Sequence, residues 1–429
     1  MTLIPSSIPS SALRTELRRG IGPWTAVAVA LTVLIGMFRM LSYWHGRWAD
    51  ATNELHLVVG AVAGPLALAA GCWHGGRDRR RGTTELWESV PRSSLRRLLV
   101  AAAPSALWPV AGVLLADTVC LVSIWPNISG GRVYVELLAA DAVAVGALGL
   151  LGHVAGRAIR WRLTAPLLGV VGYVVIAFGA FTQSGLRWLG PAGEHRFSWD
   201  SAVWWFAPVS MAWTAGLACA ALLAYGLRPA RLRPLALVPL AVAVGAATLI
   251  LRLPPDEGPW RPDPALIRPV CDSGTPQVCV SALDAARLSA VSAALAPLNA
   301  RLQGVPGAPA RWVAGPGGAS RPGDRSLPEF SPLPGPLTQP AAFRYEAALR
   351  LVLRSCPPGG IASAADERAN AIHEAVVMWL APAPPYIRIP ADTRPHLDRL
   401  TAKSPDARRA YLARYLTADP CSPEEVPVP

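Results

Sequence analysis

The chain has 429 residues, 52% of them hydrophobic and only 16% charged, and its mean hydropathy is +0.33. Soluble domains carry about 25% charged residues, so the composition excludes an ordinary soluble enzyme, and the hydropathy excludes a disordered chain despite 43 prolines. The net charge of +12 would suggest nucleic acid only if it formed a basic face on a folded module. It does not: residues 1–251 hold 21 arginines against 11 acids, whereas residues 252–429 hold 19 basic residues against 17 acids. The excess belongs to the hydrophobic half, and nucleic acid is set aside as a partner.

Residues 1–20 read as a cytoplasmic amphipathic segment, and residues 21–251 as a transmembrane domain. A bilayer core takes about 20 mostly apolar residues per helix. Seven such runs follow in order: Ile21–Leu41, Leu55–Trp73, Leu98–Val119 or on to Ile124, Val133–Ala155, Leu163–Thr182, Trp204–Tyr225 and the short Leu235–Leu251. The first run is too long for a signal peptide and has no small-residue cleavage site after it. Sixteen arginines fall in alternate connections, around Arg14–Arg19, Arg77–Arg97, Arg157–Arg162 and Arg228–Arg233. Arginine near span ends is retained in the cytoplasm. The N-terminus is therefore expected inside, and seven crossings put residues 252–429 outside. Trp44, Trp48, Trp125, Trp188, Trp199, Trp204 and Trp205 cluster near the outer ends, as interfacial anchors do.

Ionisable groups within spans are functional candidates by default. Asp117 lies eight residues before Trp125, and Asp141 nine after Arg132. At 1.5 Å per residue the two reach similar depths, where they can line a polar pathway or face Arg39 of the first span. Wetting at the outer interface is the plainer alternative. His153 reads as an interfacial residue near the inner end of the fourth span.

Residues 252–280 read as a Pro-rich extracytoplasmic linker and residues 281–429 as a small helical, Pro-rich domain with little strand signal. Helices are expected over Ser281–Leu302, where Leu288, Val291 and Leu295 share a face, then Ala341–Arg354, Ala364–Leu380 and Pro405–Leu416. Ser404-Pro405-Asp406 is a helix start. Gly304–Pro340 reads as a loop. Cys72, Cys120 and Cys219 lie in or beside spans as small apolar residues. The other four, Cys271, Cys279, Cys356 and Cys421, fall in the segment expected outside, where disulfides form. Cys271–Cys279 and Cys356–Cys421 are the expected pairs; zinc competes poorly, because there is no CxxC and no His pair. The fold class is thus all-α: about seven membrane helices plus a disulfide-stapled helical domain.

No catalytic constellation stands out. His373-Glu374 begins an HExxH-like string, but position 377 is Val377, and two His four apart are needed to reach one metal. No metal or other cofactor is expected. The inner loop 74–97 is more informative. Thr83 or Thr84 can cap a short helix carrying Glu85 and Glu88 in its first turns, with Leu86, Trp87 and Val90 as an apolar patch and Pro91 as a stop. Charge retention explains the arginines of this loop, but not its Glu, Trp and Pro arrangement.

In Gly82-Thr83-Thr84-Glu85-Leu86-Trp87 and Pro91-Arg92-Ser93-Ser94-Leu95-Arg96, the chain resembles the permease subunits of ABC-2-type transporters. Leu13–Arg19 resembles their amphipathic entry segment, and the resemblance covers about residues 10–230. It implies an ABC-type exporter subunit that couples to a separate ATPase through loop 77–97, using Thr83, Glu85, Leu86, Trp87, Glu88, Pro91 and Arg92. Such a permease works as a homodimer or heterodimer in the bilayer. The seventh span and the outer domain depart from the simple six-span pattern. The chain cannot supply a P-loop itself: GxxxxGK[ST] needs a lysine, and the single lysine, Lys403, follows Ala402. The alternative is a non-transporting membrane protein whose outer domain binds or senses an envelope ligand or protein.

Overall fold

In the first of the chain's two units, Met1–Pro262, the helices expose apolar side chains and bury polar ones. The computed structural model describes all residues except 1–9, 19, 45, 84–92, 129, 183, 194–196, 228, 316–317, 329, 331–336, 338, 353–363 and 420–421. The first unit begins with the short helix α1 (Ser10–Arg18). There follow α2 (Gly22–Arg39), α3 (Trp48–Gly75), α4 (Ser94–Ile124), α5 (Val135–Ala158), α6 (Thr164–Ala180), α7 (Phe206–Gly226) and α8 (Arg231–Ile250). Six of these are long and apolar enough to cross a membrane; α6, with 17 residues, is apolar but shorter.

On α2 the exposed stripe is Trp24, Val27, Leu31, Ile35 and Phe38, while Val29, Val33 and Met37 pack inward. Both stripes follow the helical repeat, and a water-facing helix does not present an apolar stripe of that size. With Asp50, Asp117, Asp141 and His153 buried inside, this is the arrangement of a multi-pass membrane protein.

Two local features set the helix packing. A π turn at Val59–Ala63 interrupts α3 just before Pro65, which lacks the N–H that a regular α ladder would use there. Small residues then let backbones meet, as they do between membrane helices. Gly71 and Gly75 of α3 face Gly149, Gly152 and Gly156 of α5; a Cβ on Gly152 would lie 2.0 Å from the Leu68 carbonyl oxygen. Pro109 likewise has no N–H for the Ser105 carbonyl of α4, and Gly149 closes on that carbonyl, where a Cβ would lie 2.0 Å away.

Strands β1 (Asp200–Ala202) and β2 (Trp260–Pro262) pair antiparallel. The Tyr134 hydroxyl donates to the Asp200 carbonyl at 2.8 Å.

The second unit, Asp263–Pro429, corrects the expectation of a purely helical domain. Strands β3 (Pro269–Cys271), β4 (Gln277–Ser281), β5 (Arg311–Val313) and β6 (Asp324–Ser326) form one sheet in that order, the first pair antiparallel and the next two parallel. Residues 252–280, expected as a linker, therefore hold three of the chain's strands, and two more lie in the expected loop 304–340. Segments of three to five residues are too short to show alternation, and prolines and glycines mask them. Helices α9 (Leu288–Leu302), α10 (Pro340–Val352), α11 (Ala364–Leu380), α12 (Thr393–Ala402) and α13 (Pro405–Thr417) complete the unit. Pro297 lies inside α9 without ending it, and Val291, Leu295, Leu298 and Leu302 face the core around Trp312. Ser404 Oγ accepts from the Ala407 N–H, as its sequence context predicts.

Cys271 and Cys279 stand opposite each other in the β3–β4 ladder and form a disulfide. Cys356 and Cys421 lie outside the described residues.

Candidate functional site: polar layers between the membrane helices

Helices α3, α4 and α5 each contribute one side chain to each of two buried polar layers. In one layer, Asp117 of α4 and Asp141 of α5 are 4% and 1% exposed and are electrostatic neighbours, consistent with the matched depths read from the sequence. The partner is not Arg39, which is exposed near the end of α2. It is His56 of α3, whose Nδ1 lies within hydrogen-bonding distance of Asp141 Oδ1, at 2.6 Å. Both oxygens of Asp117 and Oδ2 of Asp141 are buried with no hydrogen-bond partner among the described residues. A buried polar atom in that state is an exception among folded proteins, and inside a membrane domain an ionisable group is a candidate for function. The layer has acceptor capacity for a proton or for a cationic group.

The other layer joins His74 of α3, Ser105 of α4 and His153 of α5. Ser105 Oγ sits 3.2 Å from His74 Nδ1 and 3.0 Å from His153 Nδ1, and the two rings lie 5.6 Å apart. His153 is 1% exposed, its ring enclosed by the helix bundle. A hydroxyl carries one proton and two lone pairs; Ser105 can donate to one ring and accept from the other, holding both imidazoles in fixed orientation. Their Nε2 atoms are buried without partners among the described residues. The glycines described above bring α3 close enough to α5 for these contacts.

Sequence reasoning missed His56, His74 and Ser105. The available signal was the spacing: Gly71-x-x-x-Gly75 and Gly152-x-x-x-Gly156 each bracket a histidine, His74 and His153, and mark helices that approach closely. Among the described residues no group of three His, Cys, Asp or Glu is placed to hold a metal ion. His373 Nδ1 meets the Tyr415 hydroxyl, and Glu374 Oε2 accepts from Thr393 Oγ1 at 2.8 Å.

Beyond the second layer, arginines tie helix ends together. Arg157 at the end of α5 pairs with Asp78 at 2.9 Å, and Arg77 pairs with Glu16 of α1 at 2.9 Å. Arg79 donates to the carbonyls of Gly156 and Ile159 at 3.1 and 2.7 Å, meeting acceptors that the end of α5 leaves free. Thr83 closes the turn: its N–H donates to the Asp78 carbonyl at 3.0 Å. On the far side of the loop, Ser94 Oγ donates to the Gly226 carbonyl at the end of α7, at 2.6 Å. Glu85, Leu86, Trp87, Glu88, Pro91 and Arg92, expected to dock a partner, lie outside the described residues. Comparison of the chain with models of protein families, with curated proteins and with solved structures finds no match.

Proposed function

We propose that the chain is the membrane subunit of an ABC-type exporter in the cell membrane, with seven crossings, a cytoplasmic N-terminus and residues 263–429 on the outer side. It works as a dimer of permease subunits, and a separate ATPase grips loop 77–97. The observation that carries this reading is the frame around the loop. Residues 84–92 leave from Thr83, in a turn that continues α3 and is bonded through Arg77, Asp78 and Arg79 to α1 and α5, and return at Ser93, whose neighbour Ser94 at the start of α4 is bonded to α7. A partner that moves this loop acts on five helices together, as coupling of ATP binding to alternating access requires.

The test is affinity purification from the native host, with mass spectrometry of what co-purifies. An ABC ATPase is expected at near-stoichiometric yield with wild type. Glu85→Arg and Trp87→Ala should each lower that yield about tenfold or more, as loss of an interface anchor does. Intact binding in both variants sinks the docking role of the loop.

A second reading, a membrane protein whose outer domain binds an envelope ligand without transport, rests on a cleft of about 560 Å³ in the C-terminal unit, lined in part by Asp272, Thr275, Asn299 and Gln303. A cleft of that size is in the range of small-molecule sites. Failure to recover any ATPase would favour this reading.

A further inference from the structure

Helix α6 packs mainly against α3, leaving a crevice of about 450 Å³ on the face of α5 between α6 and α7. Its walls are apolar, with Leu148 and Leu151 from α5, Val175 and Ile176 from α6, and Leu217 from α7. One end is roofed by the turn Gly185–Leu189, held down where Trp213 Nε1 donates to the Leu189 carbonyl at 3.1 Å. Among the described residues Arg187 is the only charged one lining the crevice, and it sits in this roof with the hydroxyl residues Thr182 and Ser184. Its guanidinium lies over the Trp188 ring, 4.4 Å from the centroid, and donates to the carbonyls of Pro255 and Asp256. No carboxylate pairs with it among the described residues.

Apolar walls among membrane helices fit an acyl chain, and the volume lies within the range of about 300–1,000 Å³ typical of small-ligand sites. Walls alone would take any lipid tail. The arginine at one end, paired with no carboxylate among the described residues, is what discriminates: a guanidinium matches phosphate in geometry as well as charge. We propose that this crevice is a binding site for an anionic glycerophospholipid of the surrounding membrane, with an acyl chain between α5, α6 and α7 and the phosphate at Arg187. The proposal rests on residues 22–250 lying in a bilayer and does not depend on the exporter reading, so failure to recover an ATPase leaves it standing.

Gly179 lines the crevice, and a Cβ built on it meets nothing within 4 Å, so a side chain there begins in open space. The test uses the full chain in nanodiscs containing equal amounts of phosphatidylglycerol and phosphatidylcholine with identical diazirine-bearing acyl chains, photolysed and mapped by peptide mass spectrometry. Wild type should give adducts on Leu148, Leu151 and Val175 that favour phosphatidylglycerol about fivefold, the discrimination one arginine provides near a membrane surface. Arg187→Gln should keep the adducts and bring the ratio to about one. Gly179→Phe should abolish adducts of both lipids at these residues. A wild-type ratio of one, or crevice adducts undiminished in Gly179→Phe, overturns the proposal in favour of unselective boundary lipid. If Gly179→Phe fails to fold, the wild-type and Arg187→Gln ratios decide alone.

Discussion

Asp141 and Asp117 are the same residue type at the same level of the same helix bundle, yet their surroundings differ. Asp141 has a hydrogen-bonded partner in His56; Asp117 has none among the described residues. Removing one member of a buried bonded pair strands the other, a loss of about 1–3 kcal/mol, whereas removing a buried group that was never paired is near neutral. Asp141→Leu is therefore expected to lower the melting temperature in detergent clearly, and Asp117→Leu to leave it unchanged or raise it. Equal destabilisation by both would show that Asp117 has a structural partner after all. If Asp117→Leu abolishes transport or ligand response while keeping its stability, its unpartnered carboxyl is a working group.

Between elements, stability of the first unit depends on how closely α3 and α5 approach. Leu68 and Cys72 of α3 present carbonyls to Gly152 and Gly156 of α5, and no side chain fits between them. Gly152→Leu should prevent that approach and, with it, assembly of the His74–Ser105–His153 layer; the expected result is aggregated or degraded protein on size-exclusion chromatography. Gly245→Ala on α8, where a Cβ meets nothing within 4 Å, is the matched control and should remain monodisperse. Several elements were legible beforehand. The apolar runs locate the membrane helices because hydrophobic length is a local property, and α11 and α13 were found within one residue of their ends from periodicity and the Ser404-Pro405 start. The strands were not, because pairing partners such as Val278 and Trp312 are 34 positions apart and each strand is only three to five residues long.

On the scale of the whole molecule, the two units are stabilised differently. The first puts apolar side chains outward and depends on a bilayer. The second has an interior of its own around Trp312, Leu351 and Ile372, the Cys271–Cys279 disulfide, and the pair in which Arg311 donates to both carboxylate oxygens of Asp324, at 3.0 and 2.7 Å. Those hydrogen bonds from Arg311, helped by the Arg321 N–H, hold the Asp324 carboxyl below the usual carboxylate range. A depressed folded-state value means that the stabilisation is complete above the unfolded value of about 3.9 and is lost as pH falls through the folded value. Unfolding of the C-terminal unit, followed by near-UV circular dichroism, should thus be independent of this pair from pH 5 to 8 and sensitive to it below about pH 4. Asp324→Asn should flatten that acid limb; an unchanged acid limb would remove the pair from the account.

The sequence alone determined that this is a membrane chain, roughly where its apolar helices run, and that its excess positive charge lies in residues 1–251. Each of these depends on composition and on short-range repeats, which survive in one dimension. It also singled out Asp117 and Asp141, because an acid in an apolar run is conspicuous wherever the chain folds. Only the tertiary structure decided that Asp141 meets His56 and not Arg39, that His153 is buried against Ser105 and His74, and that the C-terminal unit holds a four-stranded sheet among its helices. These outcomes depend on which helix faces meet and which short strands pair. Glycines and prolines set such contacts by what they lack, a side chain or an N–H, and their effect appears only when a distant backbone occupies the space they leave.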